Sequence, residues 1–503
     1  MKIKSRFRIT LLAIVFLLMT VTLSSCSGKQ DDQTIGSVKE LNGHDMGCMS
    51  GSIFDVLIQE QFPDSQIIYF GSRSELLLGL TSGKIDGFVS DEPVAMMMVN
   101  QNDQVTYLDE AVGSVEYGIC FSDDAKDIML EFNEYLSKVI TNGHIEELRN
   151  KWINPDGGSQ KKQERELSGA NGIIRCVTTP DAAPFSFMSN NVFQGYEVEL
   201  LNEFCYEYGY DLEISTVSFD ALLTSVAMNK YDVAFNGIYI TPERAKSVNF
   251  CIPTYEGRDV VMVRNGNSAE NKDLITSIKD SFYKNFIEED RYKLLLSGTF
   301  TTLIISVFSI LFGTIFGLIN FMISRKSLLF KKAADSVQKL LAKLPAVVLL
   351  MLLFYVVFKT SSISASIVSI IGFAFMFANT FYGLLKTGVA SVDYGQSEAA
   401  MALGYEDIIA FFHIILPQAL KTICDSYISE VISLIKNTSI VGYVSVVDLT
   451  RSSDIIRGRT YDALFPLIVV AVIYYLLCTL LVDLIKIPLK AYIEKKVDYD
   501  DKI

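Results

Sequence analysis

Residues 395–420 read GQSEAAMALGYEDIIAFFHIILPQAL and form a partly polar connection between two long apolar runs. Ala399 and Ala400 leave room for another surface to approach, and Gly404 permits a sharp turn because glycine adopts positive φ without a steric penalty. Pro417 is expected to end or kink a helix, since proline lacks an amide hydrogen and its ring clashes with the preceding turn. The sequence therefore predicts two short helices joined at a glycine and placed between membrane-spanning segments.

The same stretch resembles the EAA loop of the membrane-spanning subunits of bacterial ABC importers. The residues that carry this resemblance are Glu398, Ala399, Ala400, Gly404, Leu416 and Pro417. The resemblance implies that a short cytoplasmic helix, a glycine break and a second helix ended by Leu-Pro form a knob that fits a groove on a separate ATPase. An ordinary amphipathic connector is the alternative interpretation.

The composition indicates two kinds of domain in one chain. Half of the 503 residues are hydrophobic and the mean hydropathy is +0.30, yet the formal net charge is −14. These values conflict for one globular domain, but they fit an acidic soluble part joined to a membrane part. The negative charge argues against nucleic-acid binding, since the sequence has no basic stripe. Three histidines and no Cys-x-x-Cys pair predict no metal site.

Long apolar runs predict an all-α membrane domain, residues 290–490, with about five transmembrane helices. The predicted spans are 299–323, 345–358, 365–385, 425–446 and 464–485, and the second is shorter than the ~20 residues that a crossing needs. Lysine and arginine are concentrated after the first span and in the C-terminal tail. By the positive-inside rule both regions are cytoplasmic. An odd number of spans then places the soluble part outside the cell and the 395–420 loop inside.

The N-terminus is typical of an exported bacterial lipoprotein. Four basic residues precede the apolar run 9–23, and Leu23-Ser24-Ser25-Cys26 ends it. A basic region, a short apolar region and small residues predict a signal peptide, 1–26, rather than a spanning helix. The tetrapeptide resembles a lipobox, which implies lipidation of Cys26; an uncleaved signal anchor is the alternative. The expected location is the bacterial cell membrane, with the soluble domain extracytoplasmic and the C-terminus cytoplasmic.

Two soluble segments resemble pieces of the family-3 solute-binding proteins, the two-lobed α/β amino-acid receptors of ABC importers. Segment 36–155 has motifs of that family's second half, such as SGKID at 82–86 and DEP at 91–93. Segment 172–265 has motifs of the first half, such as APFSF at 183–187 and GIYITPER at 237–244. The two halves therefore occur in swapped order.

We interpret this order as a circular permutation in which both segments build one clamshell, joined by the polar linker 156–171. Neither segment is long enough to contain both lobes, and the termini of compact domains often lie close together. Two independent half-domains are the alternative. Local patterns predict strands at 173–178 and 211–217 and a helix at 196–208, which favours α/β lobes.

The family resemblance also implies which side chains would hold an amino acid. Arg244 would clamp the carboxylate through its planar fork, which lysine cannot reproduce. Asp91, which follows the apolar strand 85–90, would bind the ammonium group. Further donors are expected from Thr241, from the backbone near Gly237, and from Ser50, Gly51 and Ser52, the last if Gly51-Ser52 begins a helix.

Some positions depart from the family pattern. The family often has an acidic residue and an aromatic residue before Pro-Phe, where this sequence has Thr179 and Ala182. It usually has Ser or Thr between Gly237 and Thr241, where this sequence has Tyr239. An aromatic lid would then come from Tyr239 or Phe185.

The sequence as a whole predicts a receptor fused to the permease of a bacterial ABC importer for polar amino acids. SLIKNTSIV at 433–441 resembles permeases of that group. Residues 79–85 differ from a phosphate-binding loop, because they are one residue short and end on an isoleucine where a hydroxyl is needed. The chain is therefore expected not to be an enzyme and to hold no cofactor.

The resemblance implies several partners. ATP and Mg would bind to an ATPase dimer of separate chains, and a second permease subunit, identical or different, would complete the core. A transmembrane amino-acid sensor without transport, or an importer of another small solute, is the alternative.

Overall fold

The computed structural model describes residues 35–153, 165–189, 192–266, 274–359, 363–460, 462 and 464–497. The predicted signal peptide with Cys26 lies outside these residues, as does the part of the predicted linker before residue 165.

The first segment alternates strands and helices. Its strands are β1 (Met46–Met49), β2 (Ile67–Phe70), β3 (Gly87–Asp91), β4 (Val105–Tyr117) and β5 (Cys120–Phe121). Its helices are α1 (Phe54–Gln61), α2 (Arg73–Thr81), α3 (Glu92–Gln101), α4 (Lys126–Thr141) and α5 (His144–Trp152). The Ser72 hydroxyl accepts a hydrogen bond from the Glu75 amide at 3.3 Å, and the Glu75 carboxylate accepts one from the Gly71 amide at 2.9 Å. This reciprocal cap stabilises the start of α2.

The second segment contributes eight strands and two helices. The strands are β6 (Ile173–Thr178), β7 (Asp181–Ala182), β8 (Ser186–Ser189), β9 (Val192–Gln194), β10 (Asp211–Thr216), β11 (Val233–Ala234), β12 (Asn249–Phe250) and β13 (Tyr255–Arg264). The helices are α6 (Tyr196–Tyr208) and α7 (Leu222–Ala227). The predicted strands and helix of this segment are confirmed, with the second strand one residue shorter than predicted.

Two lobes are each built on a five-stranded sheet to which both segments contribute. Lobe A (residues 35–117 and 255–266) has the strand order β2-β1-β3-β13-β4, so β13 of the second segment lies between two strands of the first. Lobe B (residues 118–153, 165–189 and 192–254) has the order β10-β6-β11-β5-β12, so β5 of the first segment lies among strands of the second. The predicted two-lobed α/β architecture is confirmed.

Two connections join the lobes side by side. Residues 118–119 lead from β4 to β5, and residues 251–254 lead from β12 to β13. The Thr254 amide donates a hydrogen bond to the Tyr117 carbonyl at 2.9 Å, and the Cys251 amide donates one to the Ile119 carbonyl at 3.0 Å. The lobes therefore turn about a hinge made of one strand from each segment.

A buried charged network fastens the end of the first segment to α6. The Glu199 carboxylate is 3% exposed and accepts hydrogen bonds from the Lys151 ammonium at 2.7 Å and from the Trp152 indole. Glu203, also buried, accepts a hydrogen bond from the Tyr135 hydroxyl at 3.1 Å. Removing one partner of a buried pair costs about 3–5 kcal/mol, so α4 and α5 are stable only against α6.

The C-terminal part is helical in the residues that the structure describes. Its helices are α8 (Leu274–Phe282), α9 (Tyr292–Lys326), α10 (Leu328–Leu341), α11 (Ala346–Leu352), α12 (Ala365–Ala390), α13 (Tyr394–Ala402), α14 (Asp407–Ala410), α15 (Leu416–Asn437), α16 (Leu449–Thr460) and α17 (Leu464–Val497). Four helical stretches are long and apolar enough to cross a membrane, namely Tyr292–Lys326, Ala365–Ala390, Asp407–Val444 and Leu464–Leu489. The prediction of an all-α membrane domain is confirmed, with four spans or five.

The predicted second span, 345–358, differs from the other spans. Here the apolar helix covers only Ala346–Val357 and meets α10 at a bend of 109°. At 1.5 Å per residue it is about 18 Å long, which is less than the hydrocarbon thickness of a bilayer. This helix is a candidate membrane span only together with α10, from which it is separated by the bend.

Two glycines let α9 and α12 pack closely. A Cβ on Gly313 would lie 2.8 Å from the Phe377 Cβ, and a Cβ on Gly317 would lie 2.7 Å from the Ala378 carbonyl oxygen. The Gly-x-x-x-Gly spacing places both glycines on one face of α9, as is common where membrane helices approach each other. A larger residue at either position would push α9 and α12 apart.

The lobes and the 395–420 loop lie at opposite ends of the helical part. Just before α9 begins, the Ser189 hydroxyl of lobe B donates a hydrogen bond to the Glu289 carboxylate at 2.8 Å. At the other end of α9, Arg325 pairs with Asp407 at 2.7 Å beside the loop. The 35 residues of α9 correspond to about 50 Å of helix.

The helix after the glycine does not end at Leu416-Pro417, which corrects the expectation from the sequence. A π-helical turn, Phe411–Ile415, continues α14 directly into α15, and Pro417 lies in the first turn of α15. The hydrogen bonds of a π-helical turn span five residues instead of four, so this turn accommodates the proline, which has no amide hydrogen to donate. The chain therefore continues as one helix.

A protease site inserted between residues 156 and 164 tests whether the segments share their sheets. After cleavage of the detergent-solubilised protein, we expect the N-terminal fragment to stay bound to a C-terminally tagged remainder, because β13 remains paired with β3 and β4. A pull-down in native buffer measures this, and the same pull-down in concentrated urea is the control that releases the fragment. Release in native buffer would show two independent half-domains.

Candidate functional site

Arg244 bridges the two lobes at the mouth of the cleft. Its Nη2 donates a hydrogen bond to the Gly51 carbonyl of lobe A at 3.1 Å, and its Nη1 donates one to the Tyr239 carbonyl of lobe B at 3.2 Å. Gly51 has a φ of +82°, and a Cβ there would lie 3.1 Å from the Asp220 Cα of lobe B. The two lobes therefore meet at Gly51 with no space for a side chain.

Two buried carboxylates lie behind this contact. Asp91 ends β3 and is 4% exposed, and Asp259 of β13 is directly opposite in register and 1% exposed. The Tyr117 hydroxyl donates a hydrogen bond to Asp91 at 2.9 Å. The Tyr239 hydroxyl, which comes from lobe B, contacts Oδ1 of both carboxylates, at 2.9 Å for Asp259.

Aromatic rings enclose the two carboxylates. The Tyr239 ring lies edge-on to Tyr117 at 4.9 Å and to Phe54 at 5.5 Å between centroids. Phe185 stacks on Tyr117 at 5.2 Å and covers Gly237, where a Cβ would lie 2.8 Å from its ring. Tyr239 thus crosses the cleft, whereas Phe185 forms part of its buried wall.

The other predicted donors are engaged by the protein itself. The Gly237 amide, at a φ of +62°, donates to the Glu197 carboxylate at 2.8 Å. The Thr241 hydroxyl accepts from the Arg244 amide at 3.2 Å, and the Ser50 amide donates to the Phe70 carbonyl at 2.9 Å.

The helix next to the Ser50–Ser52 segment begins later than predicted. Helix α1 starts at Phe54, two residues after Ser52. Ser52 instead accepts a weak hydrogen bond from the Phe54 amide at 3.4 Å. The structure thus brings Arg244, Gly51, Tyr239 and Asp91 together, while Ser50, Ser52 and Thr241 take part in local turns.

Sequence reasoning missed three residues of this site: Asp259, Tyr117 and Phe54. Asp259 is the charged residue that precedes the apolar run 260–263, and a charge at the edge of a buried strand was the available signal.

The negative charge of Asp91 perturbs Asp259. Burial, followed by the negative charge of Asp91, raises the pKa of Asp259 to about 7. Burial also raises the pKa of Glu197 to about 8, although the Gly237 and Asn236 amides partly oppose this. At neutral pH this region of the cleft therefore holds a proton that exposed carboxylates would have released.

Helix α16 touches both lobes at the base of the cleft. Arg457 lies 3.8 Å from Glu75 of lobe A, and the Arg451 guanidinium donates a hydrogen bond to the Val217 carbonyl of lobe B. A cavity of about 350 Å³ lies between the lobes and the helical part, with Glu75 among its lining residues. Residues of both lobes and of the helical part therefore line one cavity.

The 395–420 loop presents apolar side chains at the far end. Gly404 turns the chain between α13 and α14 with a φ of +86°. The exposed apolar residues of this region are Tyr394, Met401, Leu403, Tyr405, Ile408 and Ile409. Of the predicted coupling residues, Glu398 and Ala399 are exposed, and Ala400, Leu416 and Pro417 are buried. An exposed apolar cluster of this kind marks an interaction surface.

The sole tryptophan of the chain, Trp152, is buried in lobe B and reports unfolding of the lobes by fluorescence. Asp259→Asn should raise the melting temperature at pH 8 about three times as much as at pH 5. The raised pKa means that the folded state keeps a proton that the unfolded state releases above pH 4, so stability falls between pH 4 and 7. We expect a gain of about 4 kcal/mol at pH 8 and about a third of that at pH 5.

Asp86→Asn is the matched control, because Arg264 and His44 lower the pKa of Asp86 against the opposing effect of burial. That substitution should lower the melting temperature at both pH values. Equal effects of Asp259→Asn at pH 5 and 8 would contradict the shifted titration.

Two family profiles match the chain. The profile of the binding-protein-dependent transport system inner membrane component matches residues 309–487. The profile of the bacterial extracellular solute-binding proteins, family 3, matches residues 174–346, which takes in most of the second soluble segment and continues into the helical part.

Curated relatives match the helical part. A protein of Rickettsia conorii, named "Putative glutamine transport system permease protein", is 30% identical over 206 residues, which are 40% of this chain and 92% of that protein. The arginine transport system permease protein of Bacillus subtilis is 36% identical over 98 residues, 20% of this chain and 45% of that protein. Among solved structures, the crystal structure of an amino acid ABC transporter with histidines is 26% identical, with a TM-score of 0.36 over 43% of this chain and 99% of that one.

Because the Rickettsia permease is matched over nearly its whole length, the chain belongs to the family of binding-protein-dependent transport system inner membrane components, and it carries a family-3 solute-binding domain on the same polypeptide.

Proposed function

We propose that the chain is the substrate-binding and membrane-spanning subunit of a bacterial ABC importer for polar amino acids. The observation that carries this proposal is the arrangement of one chain, in which both lobes of a receptor contact the helical part and a coupling loop lies at its opposite end. A receptor and a permease held together in this way form one transport path.

The proposed orientation follows the charge of the loops. The lysine-rich segment after α9 and the lysine-rich C-terminal end of α17 face the cytoplasm, so the lobes are extracytoplasmic and the 395–420 loop is cytoplasmic. The N-terminal segment is exported and Cys26 becomes lipidated. The soluble domain is then held to the cell membrane at both of its ends.

In the proposed pocket, Arg244 binds the carboxylate of the amino acid and Asp91 binds its ammonium group. Both side chains already point into the same cleft from different lobes. Because the two charged groups of one ligand contact both lobes, ligand binding favours closure. The permuted order of the two segments leaves one pocket, built from both.

ATP and Mg act on a separate ATPase dimer, and a second permease subunit, either a copy of this chain or a relative, completes the core. The exposed apolar residues of α13 and α14 fit a groove on the ATPase. Tethering supports the cycle, since a flexible link gives a receptor an effective concentration of order mM at its permease.

Uptake of labelled amino acids into cells that contain the chain and its ATPase tests the proposal. Arg244→Ala should reduce uptake of the preferred amino acid at least tenfold, since a charge-assisted bidentate contact is lost. Arg175→Ala is the matched control, because Arg175 pairs with Asp232 away from the cleft. Amino-acid binding without ATP-dependent uptake would instead indicate a sensor, and uptake of another solute would change the substrate class.

Leu403→Glu tests the coupling loop. Leu403 is 78% exposed on the proposed contact surface, so we expect at least tenfold weaker copurification with the ATPase and loss of substrate-stimulated ATP hydrolysis, because a buried leucine contributes about 1.5–3 kcal/mol. Leu130→Glu, at a 61% exposed position on α4, should change neither property. Unchanged hydrolysis in Leu403→Glu would place the ATPase contact elsewhere.

A further inference from the structure

The two carboxylates in the cleft have few hydrogen-bond donors among the described side chains: the Tyr117 hydroxyl donates to Asp91, the Tyr239 hydroxyl lies near both, and neither donor carries a positive charge. Asp91 and Asp259 face each other across β3 and β13, and both are buried. Like charges directly opposite on neighbouring strands are destabilising. The Tyr239 hydroxyl lies within hydrogen-bond distance of Oδ1 of both groups, but a phenol has one proton and can donate to only one of them at a time.

The position of Tyr239 shows that it reaches its partners from the other lobe. Its backbone forms an antiparallel bridge with Tyr117 at the hinge, and its side chain extends into lobe A beside Phe54. Tyr239 is 6% exposed, so its ring fills the space between the lobes. The Tyr239 side chain therefore links lobe B to the two carboxylates of lobe A.

The electrostatics of the pair agree with this shortage of donors. Asp259 has a pKa of about 7, because it is buried beside the Asp91 charge. Arg244 does not relieve the pair through its observed hydrogen bonds, which go to the backbone carbonyls of Gly51 and Tyr239.

We propose that Tyr239 is a displaceable internal ligand of the Asp91–Asp259 pair, whose phenol is replaced by the ammonium group of a substrate. This inference rests on the proposed function of the lobes as an amino-acid receptor. An ammonium group carries three N–H donors and a positive charge, so it can bond to both carboxylates and offset their negative charge, which a neutral phenol cannot do.

Displacement makes the apparent affinity for substrate weaker than the intrinsic affinity, because only the fraction of receptors with Tyr239 withdrawn can bind. It also restricts the substrate class. A solute must present a free cationic nitrogen, so an N-acetylated amino acid should not enter even when its side chain fits.

The test uses the full chain in detergent, with binding of the twenty amino acids measured by calorimetric titration and melting followed by Trp152 fluorescence. Tyr239→Phe removes the hydroxyl alone, and Tyr239→Ser also removes the ring. Both variants should bind the preferred amino acid about tenfold tighter or more and melt at a lower temperature when empty. Asp259→Asn should bind it about tenfold more weakly, and the N-acetylated form should bind none of these proteins.

Tyr196→Phe is the matched control, since it removes another buried tyrosine hydroxyl, which donates to the Thr254 carbonyl at 2.7 Å. It should lower the melting temperature without tightening binding. If Tyr196→Phe tightens binding as much as Tyr239→Phe does, general loosening of the lobes explains the effect and the inference is overturned.

The remaining outcomes separate the inference from the proposed function. If the unmodified chain binds an amino acid, Arg244→Ala abolishes this binding, and Tyr239→Phe and Tyr239→Ser bind no tighter, the receptor function stands and Tyr239 is no internal ligand. If only the Tyr239 variants bind, the internal ligand is supported in its strongest form. If no variant binds any amino acid, both proposals fail.

Discussion

The antiparallel pairing of β13 with β3 on one side and β4 on the other is the interaction on which the soluble part depends. It inserts ten residues of the second segment between strands of the first and so completes lobe A. The same register places Asp259 opposite Asp91. One strand therefore determines both whether lobe A is complete and which charged groups line the cleft.

Helix α16 connects both lobes to the membrane helices. Arg457 contacts lobe A and Arg451 contacts lobe B. The helix in turn packs on α9 at Gly298, where a Cβ would lie 2.2 Å from the Ser452 hydroxyl oxygen. The two lobes, α16 and α9 therefore form one continuous series of close contacts.

The sequence predicted those features that depend on local pattern or on a family motif. The two α/β lobes, the membrane helices, and the presence of Arg244 and Asp91 in one cleft are of this kind. Tyr239 was identified as a departure, but its reach into lobe A depends on how closely the lobes meet at Gly51. Asp259 required the register of β13, which pairs with strands about 150 residues earlier in the chain.

Pro417 required a different kind of information. The rule that proline ends a helix considers one missing hydrogen bond, whereas the π-helical turn before it redistributes the hydrogen bonds of several residues. Whether the short apolar segment 346–357 is a membrane span was likewise ambiguous from the sequence, because the answer depends on its bend against α10 and not on its own composition.

The insertion of β13 also has a consequence for biosynthesis. When β4 has emerged from the ribosome at residue 117, the strand that must lie beside it ends at residue 264 and has yet to be made. At roughly 5–20 residues per second, the growing chain waits about 7–30 s with the edges of β3 and β4 unpaired. Such edges are templates for aggregation. The order of the segments therefore means that lobe A can complete its sheet only after the second segment has been synthesised.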